Sequence, residues 1–251
     1  MSGASGIVSD WKTVLTGMGL PSALAAGDLT GDGKADLVAV EPDGSGKYRY
    51  MLGTSNGTGV ASWNSVLSGM SLPTRMDLGD FSGDGKADIV AFEPDGTGKY
   101  RIMRGLSSGT GISSWSQVLG GLSYPQKAAV GDLTGDGKAD IVSVESLGTG
   151  KYRYMLGKSS GSGIASWAQI MNEMAYAEFM DLGDFNADGK ADVISVENQG
   201  GGQFRFMLGT SNGAGIGGWS QLMGGMAGPY SFHAGDLNGD GKADIVSAET
   251  M

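Results

Sequence analysis

The five tryptophans of this chain, Trp11, Trp63, Trp115, Trp167 and Trp219, fall 52 residues apart, and Asp28, Asp80, Asp132, Asp184 and Asp236 keep the same interval. No insertion or deletion breaks that register. A fixed period of this length means one supersecondary unit copied in tandem, each copy burying its apolar face against the next. The chain therefore reads as one array, a single domain over residues 1–251, with no linker inside it.

Each period divides into four short segments. The tryptophan segment, VASWNSVLSGM in the second copy, has apolar positions Val60, Trp63, Val66 and Leu67 that fit a helical turn as well as a twisted strand; we read it as a strand. LAAGDL (24–29), the loop TGDGK and ADLVAVE (35–41) follow, the last an apolar run of buried-strand length. The glycine-rich turn PDGSG then leads into KYRYMLG (47–53), whose alternation marks a strand. Short strands punctuated by glycine turns make an all-β chain, and the 47 glycines are its turn chemistry.

The ends of the array favour a β-propeller of five blades of about four strands over a linear solenoid. Residue 1 aligns with Gly53 and residue 251 with Asp43, so the copy that Asp236 and Ile245 begin would be completed by the N-terminal Trp11 segment, and it would lack one strand of the KYRYMLG type. Closure of that kind removes exposed sheet edges. The incomplete blade carries the expectation of a homo-oligomer in which another chain fills it.

The main chemical signal is Asp-x-[Thr/Ser/Asn]-x-Asp-Gly-Lys-Ala-Asp, present five times. Its positions 1, 3, 5, 7 and 9 are Asp28, Thr30, Asp32, Lys34 and Asp36; Asp80, Ser82, Asp84, Lys86 and Asp88; Asp132, Thr134, Asp136, Lys138 and Asp140; Asp184, Asn186, Asp188, Lys190 and Asp192; and Asp236, Asn238, Asp240, Lys242 and Asp244. Ca²⁺ takes six to eight oxygen ligands, and this spacing wraps carboxylates and one backbone carbonyl, that of the lysine, around a point. The expectation is about one Ca²⁺ per repeat, with the lysine ammonium groups in solvent. It is not an EF-hand, because Ala39 stands where the twelfth-position Glu would be. A metal-free Asp-Gly hairpin turn is the competing reading. These loops hold 15 of the 27 acidic residues, so five Ca²⁺ ions would balance the net charge of −10.

The strings GDLTGDGKADIV, GDFSGDGKADIV and GDFNADGKADVI resemble the FG-GAP/VCBS-type repeat, found in integrin α-subunit propellers and in secreted bacterial and fungal propeller proteins that include calcium-containing lectins. The resemblance covers all five copies. It implies a propeller, commonly of seven blades in such proteins, with Ca²⁺ in the hairpin between the first two strands of each blade, and an extracellular location. It also implies shallow sugar sites between neighbouring blades.

On that footing the expected partners are glycans, bound multivalently by Trp63, Trp115, Trp167, Trp219 and Trp11, whose rings can stack on sugar faces; the competing reading packs each tryptophan between blades. Arg49, Arg101, Arg153 and Arg205 are expected to pair across a hairpin with Glu41, Glu93, Glu145 and Glu197. Tyr48 and Tyr50 are expected to fill contacts between blades, and Asp77 and Asp181 to be solvated surface. The acidic balance argues against nucleic acid, the absence of cysteine removes thiol chemistry, and no run of eighteen apolar residues offers a membrane helix. The opening MSGASGIVSDW lacks the features of a signal peptide. His233 occurs in one copy only and no catalytic constellation rises above the repeats, so no enzyme is expected. A calcium-rigidified scaffold or adhesion module for a protein partner is the alternative to a lectin.

Overall fold

The computed structural model describes residues 13–249. Every regular element in that span is a β-strand, and among the described residues no helix is long and apolar enough to cross a membrane. The strands form four four-stranded antiparallel sheets and one two-stranded sheet.

Two compact units contain them. In the first, β1 (Ala23–Gly27), β2 (Asp36–Pro42), β3 (Tyr48–Ser55) and β4 (Val60–Met70) make one sheet. The second sheet of that unit is β5 (Arg75–Gly79), β6 (Asp88–Pro94), β7 (Tyr100–Ser107) and β8 (Ile112–Leu122). The other unit holds β9 (Lys127–Gly131), β10 (Asp140–Ser146), β11 (Tyr152–Ser159) and β12 (Ile164–Met174). Its next sheet is β13 (Ala177–Gly183), β14 (Asp192–Gly200), β15 (Gln203–Ser211) and β16 (Ile216–Met226), and β17 (Pro229–Gly235) with β18 (Asp244–Glu249) makes the two-stranded sheet.

The tryptophan segment is a strand, and it takes the outer place of its sheet. Trp63 pairs with Gly53 because the short SNGTG turn folds β4 back on β3, so each sheet straddles the 52-residue period and ends on the tryptophan of the next copy. Of the expected five blades, the last of them one strand short, the described residues form four four-stranded sheets plus the pair β17 and β18. The expected closure by the Trp11 segment, and Trp11 itself, lie outside the described residues. Nearby, Val60 N–H donates to the Val14 carbonyl at 3.3 Å.

The second strand is the middle of each core, since it is covered on both faces: Val38, Ile89, Ile141 and Ile194 are fully buried. Burying a side chain of this size stabilises by about 1.5–3 kcal/mol. In the first unit Leu29, Val38, Tyr50 and Leu52 of one sheet pack with Leu78, Ala87 and Ile89 of the next. In the other unit Leu133, Val142, Tyr154 and Leu156 pack with Leu182 and Val193. Tyr50 thus fills an inter-sheet contact, as its place in the repeat predicts.

Candidate functional site

The acidic loops join the first two strands of their sheets, where the repeat pattern places them. Asp28 turns onto its own loop: one carboxylate oxygen accepts the N–H groups of Gly31 (2.7 Å) and Asp32 (3.1 Å), and the other that of Gly33 (2.7 Å). Asp36 is fully buried beneath the loop and accepts the N–H groups of Thr30 (3.0 Å) and Ser55 (2.8 Å). Loops 2 and 3 repeat both patterns through Asp80, Asp88, Asp132 and Asp140.

These loops are also the seam between neighbouring sheets of a unit. Ala87 N–H donates to the Asp28 carbonyl and Ser107 Oγ to the Leu29 carbonyl, both at 2.7 Å. Ala191 with Asp132, Ser211 with Leu133, and Ala243 with Asp184 do the same in the other unit.

The position-5 carboxylate departs from expectation. Lysine ammonium groups do not stand free in solvent: Lys34 Nζ meets Asp32 at 2.7 Å, Lys86 meets Asp84 at 2.9 Å, and Lys138 and Lys190 meet Asp136 and Asp188 at 3.1 Å. The stems of Lys86 and Lys190 lie across Gly31 and Gly135 of the preceding loops. The bond from Lys34 holds the Asp32 carboxyl below the usual carboxylate range, and Lys86 and Lys190 do the same for Asp84 and Asp188. Burial pushes the Asp88, Asp140 and Asp192 carboxyls up, against the amides that bond them.

The donors fit a hard divalent cation in kind, all being oxygens. In the arrangement described they do not converge: among the described residues no three acidic or histidine side chains form a metal-holding group. Asp28 keeps lone pairs on the oxygen that accepts one amide, Asp36 keeps one on each oxygen, and Asp32 is engaged by Lys34. Loops 4 and 5 differ at position 3, where the Asn186 and Asn238 side-chain carbonyls each accept an N–H, from Asp188 and Asp240, at 2.8 Å.

Trp63, Trp115, Trp167 and Trp219 stand on β4, β8, β12 and β16, all half-buried. The rings of Trp63, Trp115 and Trp219 lie on Gly53, Gly105 and Gly209; a Cβ at Gly53 would meet the Trp63 ring at 2.6 Å, so glycine there is a requirement of packing. Trp115 meets Tyr50 edge-on at 5.1 Å and Trp219 meets Tyr154 at 5.7 Å, so both carry the inter-sheet packing role. Neither Trp63 nor Trp167 has such a ring partner among the described residues. Gly53, under Trp63, also lines a cavity of about 330 Å³ with Val14, Leu37, Val60 and the hydroxyl-bearing Ser55 and Thr58. That cavity is at the small end of ligand pockets. Sequence reasoning missed it, because the repeat makes all five copies look alike.

The cross-strand ion pairs form as the spacing predicts. Glu41 pairs with Arg49 and Glu93 with Arg101 at 2.9 Å, and Glu145 with Arg153 and Glu197 with Arg205 at 2.7 Å. Asp77 and Asp181 are not solvated surface. Asp77 is half-buried and accepts Leu78 N–H, and Asp181 accepts Leu182 N–H and, from the neighbouring strand β17, Ala234 N–H at 2.8 Å.

A chain of four-stranded sheets with acidic hairpins repeated between first and second strands has the β-propeller fold, among the described residues four blades and a small extra sheet. The FG-GAP-like repeat model matches residues 28–91 and 184–247, just over half of the chain. This chain belongs to the FG-GAP-like repeat family. Among solved structures it is similar to the BP39L lectin from Burkholderia pseudomallei, with a TM-score of 0.58 and 16% identity over 91% of this chain and 64% of that one. A protein from Lactobacillus plantarum matches with a TM-score of 0.45 and 16% identity over 90% of this chain and 64% of that one. TolB from Acinetobacter baumannii matches at 0.42 and 16% over 71% and 38%. The chain thus spans less than two thirds of the length of each of these proteins. No curated protein matches it in sequence.

Proposed function

We propose that this chain is a non-catalytic, extracellular, carbohydrate-binding propeller whose acidic loops take up Ca²⁺. The observation that carries the sugar reading is the Trp63 ring. It is half-buried, has no aromatic partner among the described residues, and rests on Gly53, which in turn lines a cavity of about 330 Å³ with apolar walls and the Ser55 and Thr58 hydroxyls. A sugar needs that combination: an aromatic face for its C–H groups and hydroxyl partners for its oxygens. The fold shared with a bacterial lectin supports the reading. The other tryptophans supply shallower contacts, and several weak sites on one chain raise avidity by about 10²–10⁴ on clustered glycans.

For calcium, the support is the fivefold all-oxygen donor set and the seam it sits on, since an ion there would brace the loop that joins neighbouring sheets. Asp28, Asp32 and Asp36, with the Lys34 carbonyl, would hold the ion in the first loop, after Lys34 has released Asp32.

A glycan array probed with the calcium-loaded protein tests the sugar reading, followed by titration of a hit against Trp63→Ala. The expected result is binding weakened about tenfold or more by the substitution. Silence across a broad array leaves the scaffold or adhesion reading in its place.

A further inference from the structure

Position 104 interrupts the repeat. Leu52, Leu156 and Leu208 hold it in the other four-stranded sheets and pack in their cores, whereas β7 places Arg104 there, only 9% exposed. Arg104 Nη1 donates to the Gly161 carbonyl at 2.6 Å, in a turn of the same unit. Its Nε is buried with no hydrogen-bond partner. The ion pairs across the hairpins take up Arg49, Arg101, Arg153 and Arg205 and leave Arg104 out. A buried cation is costly unless negative charge lies close by.

The second acidic loop supplies that charge. Arg104 pairs with Val90 on β6, and Asp88, two residues before Val90, lies on the same face of the sheet, one pair along. The guanidinium carbon stands 6.0 Å from the centroid of the Phe81 ring, and Phe81 follows Asp80, the first residue of the loop. Burial raises the Asp88 carboxyl pKa, while its hydrogen bonds and the Arg104 charge pull the other way. Asp140 and Asp192 are raised by burial too, but the charges acting on them are the carboxylates of Asp136, and of Asp188 and Asp184.

We infer that Arg104 is a built-in counter-charge for the second loop, which makes that loop a much weaker Ca²⁺ site than the third. The inference rests on the calcium reading proposed above. The third loop is the internal control: Asp132, Thr134 and Asp140 repeat the hydrogen bonds of Asp80, Ser82 and Asp88, with Leu156 at the position of Arg104. The Arg104 stem is buried and Gly161 holds its head, so the charge has no solvent into which to withdraw. A fixed unit charge one diagonal pair from a divalent ion weakens binding by at least about tenfold at the effective dielectric of a partly buried site.

The test is calorimetric titration of the full, metal-free chain with calcium chloride. We expect a weak binding step that Asp84→Asn abolishes, and a step about tenfold or more tighter that Asp136→Asn abolishes. Arg104→Leu, which installs the residue of the counterpart positions, should tighten the weak step about tenfold or more, and Arg104→Met, which keeps an unbranched stem, should do the same. Equal affinities for the steps lost in Asp84→Asn and Asp136→Asn would overturn the inference and leave calcium in place, as would a weak step that neither substitution of Arg104 moves. No calcium binding by the parent or by either Arg104 variant would remove the calcium reading itself, and this inference with it.

Discussion

Replacing Arg205 with methionine removes the cation from a carboxylate that has nowhere else to turn. Glu197 is 1% exposed; one of its oxygens accepts both Arg205 Nε (2.9 Å) and Nη2 (2.7 Å), and the other is buried with no hydrogen-bond partner. Burial raises the pKa of the nearby Tyr154 hydroxyl, and the Glu197 charge pushes the same way, so the charge is felt in a poorly solvated interior. Breaking a fully buried pair from one side costs about 3–5 kcal/mol. The Arg205 side chain is 36% exposed, and that contact with water discounts the figure to about 2–3 kcal/mol. For a chain of this length the loss lowers Tm by about 4–12 °C.

The double variant Glu197→Gln/Arg205→Met separates charge from shape. With the stranded charge gone it should recover about 1–2 kcal/mol relative to Arg205→Met alone, although it removes one more native group. Denaturant unfolding of parent, single and double variants at neutral pH measures both steps. A single variant within about 0.5 kcal/mol of the parent, or a double no more stable than the single, refutes the argument that the pair is a buried charge and its counter-ion.

Three further outcomes are expected. Ala187 sits at a φ of 61°, where the other loops have glycine, so Ala187→Gly should stabilise by about 0.5–1 kcal/mol in thermal melts; destabilisation would show that the left-handed backbone carries no strain there. Burial, only partly offset by its amide partners, raises the Asp181 carboxyl pKa in the folded chain, so the group disfavours folding while charged. The stability of the parent relative to Asp181→Asn should therefore rise as pH falls from 7 through that raised value towards 3.8, and a slope of opposite sign would sink this account. Calcium should raise Tm and a chelator reverse it; replacing Lys34, Lys86, Lys138 and Lys190 together with methionine should tighten calcium binding in calorimetry, because Asp32, Asp84, Asp136 and Asp188 lose a competing cation. Equal melting temperatures with and without chelator would remove calcium from the proposed function.

Much of the fold is legible in the sequence because it is local. The 52-residue interval, the Asp-Gly loops between first and second strands, and the Glu-Arg register across each hairpin rest on contacts a few residues apart, and those hold in the structure. The blade count is less legible: among the described residues the last copy contributes only the pair β17 and β18, and the number of strands joined to such a pair is set by pairing between distant parts of the chain. The candidate site is less legible. Asp77 and Asp181 read as solvated acids until the neighbouring strand donates an amide to Asp181, and Lys34, Lys86, Lys138 and Lys190 read as free until each pairs with the aspartate two residues before it.

The sequence by itself determined the repeat, the all-β class and the oxygen-rich loops, since period, turn residues and alternation are properties of short stretches of chain. Tertiary structure alone decided which copies are equivalent. Trp115 and Trp219 have a tyrosine from the preceding sheet against them and Trp63 has none among the described residues, and Val246 is open where its counterparts are closed. Identical residues acquire different roles because burial is set by what packs on a strand, and that neighbour is chosen in three dimensions.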